Sequence, residues 1–312
     1  MTELVVEETI SGSPDPAPPS PSTLTIRSSR WARLYDSTRE FARAHKLGVA
    51  SALVIVVLIF VALFADLVAP YDPVATTRGA GSRLGAPSGE HWFGTDELGR
   101  DIFSRVIHGA RISMIVATLT VVVSTVLGTV VGAVSGYFGG LVDTVLQRIV
   151  DAVMSIPVLI LALFVVSLLG SSIRNVVMAL AIVFTPRFAR IARGEMLRIK
   201  TADYVSASQA LGARPWRIIR RHGLPNLTAP IIVLASLTFG QAMIAEAGLS
   251  FLGVGAPITE PSWGQMLSRS REYLTIAWWT VVFPGAALSL AVLAFNLFGD
   301  ALRDHLDPKL VR

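Results

Sequence analysis

Apolar residues in this chain gather into uncharged blocks instead of alternating with polar ones. Long blocks run over residues 47–65, 112–142, 152–173, 224–245 and 273–299, and a shorter one over 175–186. A bilayer core about 30 Å thick is crossed by roughly 20 mostly apolar helical residues, so the long blocks predict membrane-spanning helices. The short block crosses only if Arg187 and Arg190 lie in its last turns and reach out to the interface. The expectation is an all-α polytopic membrane protein with six transmembrane helices.

The features between and within the blocks predict finer organisation. Residues 1–26 form a Pro/Ser-rich leader, disordered by composition, with five prolines between Ser11 and Ser22. Over residues 27–46, Trp31, Leu34, Tyr35 and Phe41 share a helical face flanked by Arg30, Arg33, Arg39 and Arg43. That pattern fits either an amphipathic helix lying in the interface or a solvated basic leader. The first span then covers 47–69, an external loop 70–110, the remaining five spans 111–302, and a tail 303–312. Gly128, Gly132 and Gly136 recur every four residues in the second span, a small-residue face that lets helices approach closely. Pro157, Pro186, Pro230 and Pro284 fall in or beside spans and read first as structural kinks.

Composition agrees with the membrane reading and narrows the chemistry. The chain is 52% hydrophobic and only 16% charged, where soluble domains are about one quarter charged. The first apolar block begins behind a long polar leader, which argues against a cleaved secretory signal. Of the 27 Lys and Arg residues, 19 fall on the leader, the 2–3 and 4–5 loops and the tail. The positive-inside bias therefore places both termini in the cytoplasm. It also accounts for the basic excess, so nucleic-acid binding has no place in the reading. With no cysteine there is no disulfide, thiolate metal site or cysteine nucleophile. The sequence contains no HExxH or GxSxG motif, and none of its three lysines follows a glycine, which excludes a Walker A loop.

Few ionisable residues fall within the predicted spans, and those stand at the edges of the blocks, where the spans extend past them. Asp151 follows Arg148 by three residues and reads as its local ion-pair partner. Glu246 lies about 25 Å along the fifth helix from Ala229, at ~1.5 Å per residue, near the outer mouth. It either lines a vestibule or bonds to a neighbouring helix end.

The polar segment 187–226 holds nine basic residues against two acids. Positive-inside bias explains the charge but not the order of residues. "TADYVSASQALG" reads as a short helix with Thr201 or Asp203 as N-cap and Gly212 just past its end. "RPWRIIRRHG" reads as a second helix, with Pro215 in its first turn and Gly223 at its end. Two short helices joined at a glycine make a protrusion, and Ser206, Ala207, Ser208 and Ala210 are small enough to enter a groove on another protein.

This segment resembles the EAA loop of permease subunits in ATP-binding-cassette importers. Ser206-Ala207-Ser208 stands at the Glu-Ala-Ala place, followed by Gly212, His222 and Leu224-Pro225. Ser206 replaces the usual acid and His222 the usual isoleucine. "FADLVAPYDP" (64–73), "HWFGTDELGRDIFSRVIHGARIS" (91–113), "EAGLSFLGVGAP" (246–257), "PSWGQML" (261–267) and "FPGAALSLAVLAFNLFGDALRDHLDP" (283–308) resemble the C-type permease of dipeptide, oligopeptide and nickel importers.

That resemblance implies the type I importer permease fold with a cytoplasmic coupling helix in loop 194–226. It implies half of a translocation path for di- or oligopeptides in the bacterial inner membrane, with nickel chelates, opines or glutathione as alternatives. The implied partners are a homologous B-type permease, one or two cytoplasmic ATPase subunits that carry ATP and magnesium, an extracytoplasmic binding protein, and membrane lipids. The chain itself is then no enzyme and holds no cofactor or metal.

Tyr204, Val205, Ser206, Ala207, Ser208, Gln209, Ala210, Leu211, Gly212 and Ala213 are the expected ATPase contact. Leu224 and Pro225 lie behind it, with Arg214, Arg217, Arg220 and Arg221 flanking it or serving only as positive-inside charge. Asp96, Glu97, Arg100 and Asp101 either meet the binding protein or form caps and local ion pairs. Glu246, Ser250 and Trp263 are candidates for the outer vestibule or gate, Trp263 having the alternative of an interfacial anchor. A competing class is an ion-coupled secondary carrier, and another is a membrane scaffold without transport.

Overall fold

The computed structural model describes residues 46–76, 83–255 and 260–306. The proposed leader and interfacial helix, up to residue 45, lie outside the described residues. Helices α1 (Lys46–Leu63) and α2 (Ala65–Val68) open the described chain. They are followed by α3 (Ile102–Phe138), α4 (Gly140–Met154), α5 (Val158–Leu169) and α6 (Ile173–Lys200). Then come the short α7 (Asp203–Ala210) and α8 (Pro215–Ile218), a π turn over Ile219–Gly223, and α9 (Leu224–Phe251). The short α10 (Trp263–Ser270) and the long α11 (Trp279–Leu306) close it.

Among the described residues five helices are long and apolar enough to cross a membrane singly, and the bent pair α4–α5 makes a sixth crossing if counted as one. Their exposed faces are apolar, as on α1, where Leu53, Val56, Val57 and Phe60 all face outward. In hydrocarbon such faces carry no penalty, and packing specificity comes instead from small residues at helix contacts.

The glycine face of α3 makes the closest such contact. A Cβ on Gly132 would overlap the carbonyl oxygen of Ala189, and one on Gly136 would lie 2.8 Å from the carbonyl oxygen of Arg193. Both partners are on α6, so backbone meets backbone along this seam. A second core closes the end of the bundle nearest the short helices, where Tyr137, Phe188, Met196, Ile199, Val205, Ile218 and Ile219 pack together.

Four sequence expectations are corrected. First, α3 starts at Ile102, about ten residues before its apolar block and within the segment assigned to the external loop. Its N-cap is Asp101, whose side chain accepts from Ser104 N, and Arg105 in its first turns is buried among ionic partners. Second, the third block is no continuous helix: α4 and α5 meet at 93° beside Pro157, since proline lacks the amide proton that would continue the ladder.

Third, Arg187 and Arg190 do not sit in the last turns of their helix, because α6 continues to Lys200. Phe188, Ala192, Met196 and Ile199 bury one face of this extension, and three of its arginines find partners on other helices. Arg187 donates to Gln241, Arg190 to Asp151 at 2.7 Å, and Arg193 binds Asp143 through two bonds of 2.6 Å. Asp151 therefore pairs across helices with Arg190 and not with Arg148. Fourth, Gly223 ends no helix. The π turn runs directly into α9, and Gly223 is the place where the Met196 side chain presses against that turn.

Candidate functional site

The protrusion expected from residues 201–223 is built by two short helices and one left-handed glycine. Leu211 ends α7, and Gly212 follows at φ +81°. Gly212 N donates to Gln209 O at 2.9 Å and Ala213 N to Ser208 O at 3.1 Å. This paired closure satisfies the last carbonyls of α7 and needs a residue tolerant of positive φ. A Cβ on Gly212 would meet nothing within 4 Å, so the backbone angle, and not crowding inside this chain, selects glycine. The start of α7 differs from expectation. Its N-cap is Ala202 with no side-chain bond, Asp203 is the first helical residue, and Thr201 Oγ1 donates back to Arg198 O at 2.9 Å. Pro215 holds the first position of α8, as expected.

Three side chains pin this protrusion to the bundle: Val205, Ile218 and Ile219 are buried in the inner core. Nearly everything else points away. Tyr204, Ser206, Ala207, Gln209 and Ala210 are exposed, as are Arg214, Arg217 and Pro225, while Ser208, Ala213 and Leu224 are half-buried. Leu211 is 90% exposed and Trp216 61% exposed. Both are large apolar side chains standing clear of the bundle on a polar, basic ridge.

The outer candidates are arranged in the opposite way. Asp96 accepts from the backbone of Leu98 and Arg100, each at 2.9 Å, and from Arg100 Nε at 2.7 Å. Arg105 approaches the same carboxylate at 3.5 Å and donates to Pro73 O at 2.9 Å. Glu97 accepts from Arg269 at 3.2 Å. Asp101 caps α3, accepts from Ser104 Oγ at 2.7 Å and pairs with His91 Nδ1 at 2.9 Å. Asp96, Arg100, Arg105 and Asp101 are buried. The caps and local ion pairs are thus real, while these buried side chains offer little to an external protein. Arg105 and Arg269 are members that sequence reading passed over, because neither sits near its acid in the chain.

Glu246, Ser250 and Trp263 are packed between helices, and Glu246 bonds to a neighbouring helix, the second of its two readings. Glu246 and Trp263 are each 1% exposed and Ser250 is buried. Ser250 Oγ donates to Glu246 at 2.8 Å and Ser113 Oγ at 3.3 Å, tying α9 to α3. The Trp263 indole donates to Val106 O at 2.9 Å, in space left by Gly109, where a Cβ would come within 2.9 Å of the ring. Trp263 is therefore an interhelical strut and not an interfacial anchor.

Comparison with known proteins agrees with this geometry. Residues 128–312 match the family described as binding-protein-dependent transport system inner membrane component. Residues 36–87 match the N-terminal TM domain of oligopeptide transport permease C. The chain is 40% identical over 297 residues to a dipeptide transport system permease protein of Alkalihalophilus pseudofirmus, covering 95% of this chain and 96% of that one. It is 43% identical over 273 residues to a glutathione transport system permease protein of Pectobacterium atrosepticum, covering 87% and 90%. Among solved structures, a chain of the inward-facing MetNI methionine ABC transporter aligns with a TM-score of 0.55 at 20% identity, covering 66% of this chain and 98% of that one. At that identity the likeness concerns the fold.

Proposed function

This chain belongs to the binding-protein-dependent transport inner membrane family, as a permease subunit of the oligopeptide permease C type, and from that premise we propose that it forms half of a peptide-translocation path. It is a multi-pass membrane transport subunit and not an enzyme. Membership of the family implies a second permease, an ATPase and a binding protein as companions. Our finer reading is a heterodimer with a homologous B-type permease, docked on one or two cytoplasmic ATPase subunits that hold ATP and magnesium. Both termini then face the cytoplasm and the binding protein delivers substrate from outside. Di- and oligopeptides are the favoured cargo, and the glutathione permeases among the relatives make a γ-linked peptide the nearest variant.

The observation that carries this reading is the exposed protrusion of residues 203–218, seated through the buried Val205, Ile218 and Ile219 yet bare at Leu211. A lever must be stiff towards the bundle that it moves and open towards the motor that moves it. Nucleotide shifts the equilibrium between inward and outward states only by binding them differently, and this ridge is where that preference would pass into the membrane.

The test is uptake of labelled dipeptide by proteoliposomes containing this chain, its partner permease, the ATPase and the binding protein. Uptake should require ATP and all four components, and glutathione in the same assay separates the two cargo classes. Uptake by this chain alone, driven by an ion gradient, would replace the proposal with a secondary carrier.

A further inference from the structure

Four arginines at the base of the protrusion have no partner among the described residues. There Arg214, Arg217, Arg220 and Arg221 enter no ion pair or side-chain hydrogen bond, whereas Arg187, Arg190, Arg193 and Arg198 on α6 are all engaged. Three of the unpaired four, Arg217, Arg220 and Arg221, line one open groove of about 530 Å³ together with Pro225.

The local backbone explains the gathering. Ile219–Gly223 is a π turn, which adds a residue to the turn and is over-represented at functional sites. Ile218 and Ile219 are buried on the core side of this turn, and Met196 presses on Gly223. The arginines are therefore left on the outward side, and their grouping follows from packing on the opposite face.

The position of the groove specifies its ligand. Arg221 lies three residues before Leu224, where the uncharged block of the fifth span begins, so the guanidinium groups stand at headgroup depth. Trp216, 61% exposed, supplies the amphipathic ring typical of that depth. One turn further into the membrane a second groove, of about 310 Å³, opens between α3 and α9, lined by Val126, Val130, Leu224, Leu227, Ile231 and three threonines. Pro225 of the basic groove and Thr228 of the apolar one are joined by a 2.7 Å hydrogen bond from Thr228 Oγ1 to Pro225 O. An anion above and an apolar surface directly below describe one amphiphile.

We propose that the groove formed by Arg217, Arg220 and Arg221 binds the phosphate headgroup of an anionic phospholipid of the inner leaflet, with an acyl chain along the α3–α9 groove. The site rests on the reading that residues 203–225 face the cytoplasm. It adds a lipid contact at the root of the coupling protrusion, where an arginine fork can hold phosphate through paired N–H bonds and basic residues near an anionic surface each favour binding.

The test uses the whole transporter in nanodiscs of phosphatidylcholine doped with brominated phosphatidylglycerol or brominated phosphatidylcholine. The Trp216 emission is isolated by difference from a Trp216→Phe complex. Brominated phosphatidylglycerol should quench it selectively, with the preference falling about fivefold in Arg220→Gln and again in Arg220→Gln/Arg221→Gln. Arg220→Lys/Arg221→Lys should keep most of the preference, which separates lost charge from misfolding.

Gly212→Asp, outside the groove, should retain the lipid preference even where ATPase coupling is lost. Equal quenching by both lipids, or a preference indifferent to the Gln variants, overturns the site. Displacement by soluble glycerol phosphate reassigns it to free phosphate. Quenching that emerges only after the ATPase is stripped away reassigns the arginines to protein contact. ATP-driven peptide uptake without lipid preference removes this site alone. Lipid preference without ATPase association removes the coupling assignment and leaves the lipid site standing.

Discussion

The cap at the start of α3 and the protrusion of residues 203–218 are both rich in charge and use it in contrary ways. In the cap, Asp96, Arg100, Asp101 and Arg105 are buried and bonded to one another and to backbone. In the protrusion, Arg214, Arg217, Arg220 and Arg221 are exposed, with no partner among the described residues. Withdrawing a charge from water is costly unless it is paired and fully hydrogen-bonded, so the cap's network is a closed structural unit. The protrusion's charges remain hydrated and available, and they sit beside apolar side chains that water does not favour. Pairing thus separates charge that holds the fold from charge left open at the surface.

The contrast can be broken most forcefully at the cap. Arg100→Met removes the main counter-charge of the buried Asp96 carboxylate and should cost about 3–5 kcal/mol. The expected outcome is a large fall in thermal midpoint of the detergent-purified complex, or failure to accumulate in the membrane. An unchanged midpoint would mean that the cap is far wetter than its burial indicates.

Next comes the glycine seam, which neither region controls. Gly132→Val forces a side chain into the Ala189 carbonyl and should destabilise the α3–α6 pair by about 1–3 kcal/mol, read in the same melt. If Gly132→Val melts like wild type, the two helices do not meet as closely as described.

The protrusion should behave differently. Gly212→Asp places a side chain at φ +81°, which strains the turn by about 1 kcal/mol and leaves the bundle intact. ATP-driven uptake should nevertheless fall by at least tenfold, an effect of about 1.4 kcal/mol on coupling. Normal uptake in this variant would argue strongly against the protrusion as the lever.

Smallest in stability is Leu211→Ser, where a side chain 90% exposed should change the folding free energy by no more than about 0.5 kcal/mol. Its effect should show only as weaker retention of the ATPase in a pull-down. A pull-down equal to wild type would move the contact elsewhere on the ridge.

Several elements were legible before any coordinates. The α3 glycines every fourth residue announced a close helix contact, since only a missing Cβ lets backbones approach in this way. Gly212 and Pro215 announced a turn between two short helices, because positive φ and a first-turn proline are local backbone requirements. Other elements were not legible. The length of α6 was hidden by its arginines, which look like a loop until Gln241, Asp151 and Asp143 are seen opposite them. Phe188, Ala192, Met196 and Ile199 carried a helical period that could have revealed it. Glu246 and Trp263 stand between two apolar blocks in the sequence, but whether they face a path or another helix depends on Ser113 and Val106, more than a hundred residues away in sequence.

What the amino-acid order determined by itself was the set of local preferences: apolar block lengths matched to a bilayer, the side on which arginines accumulate, and the glycine and proline positions of the turn. What only the tertiary structure decided was which charges are neutralised and which surfaces stay uncovered. Burial and pairing join residues distant in sequence, and no local pattern specifies its partner across the bundle.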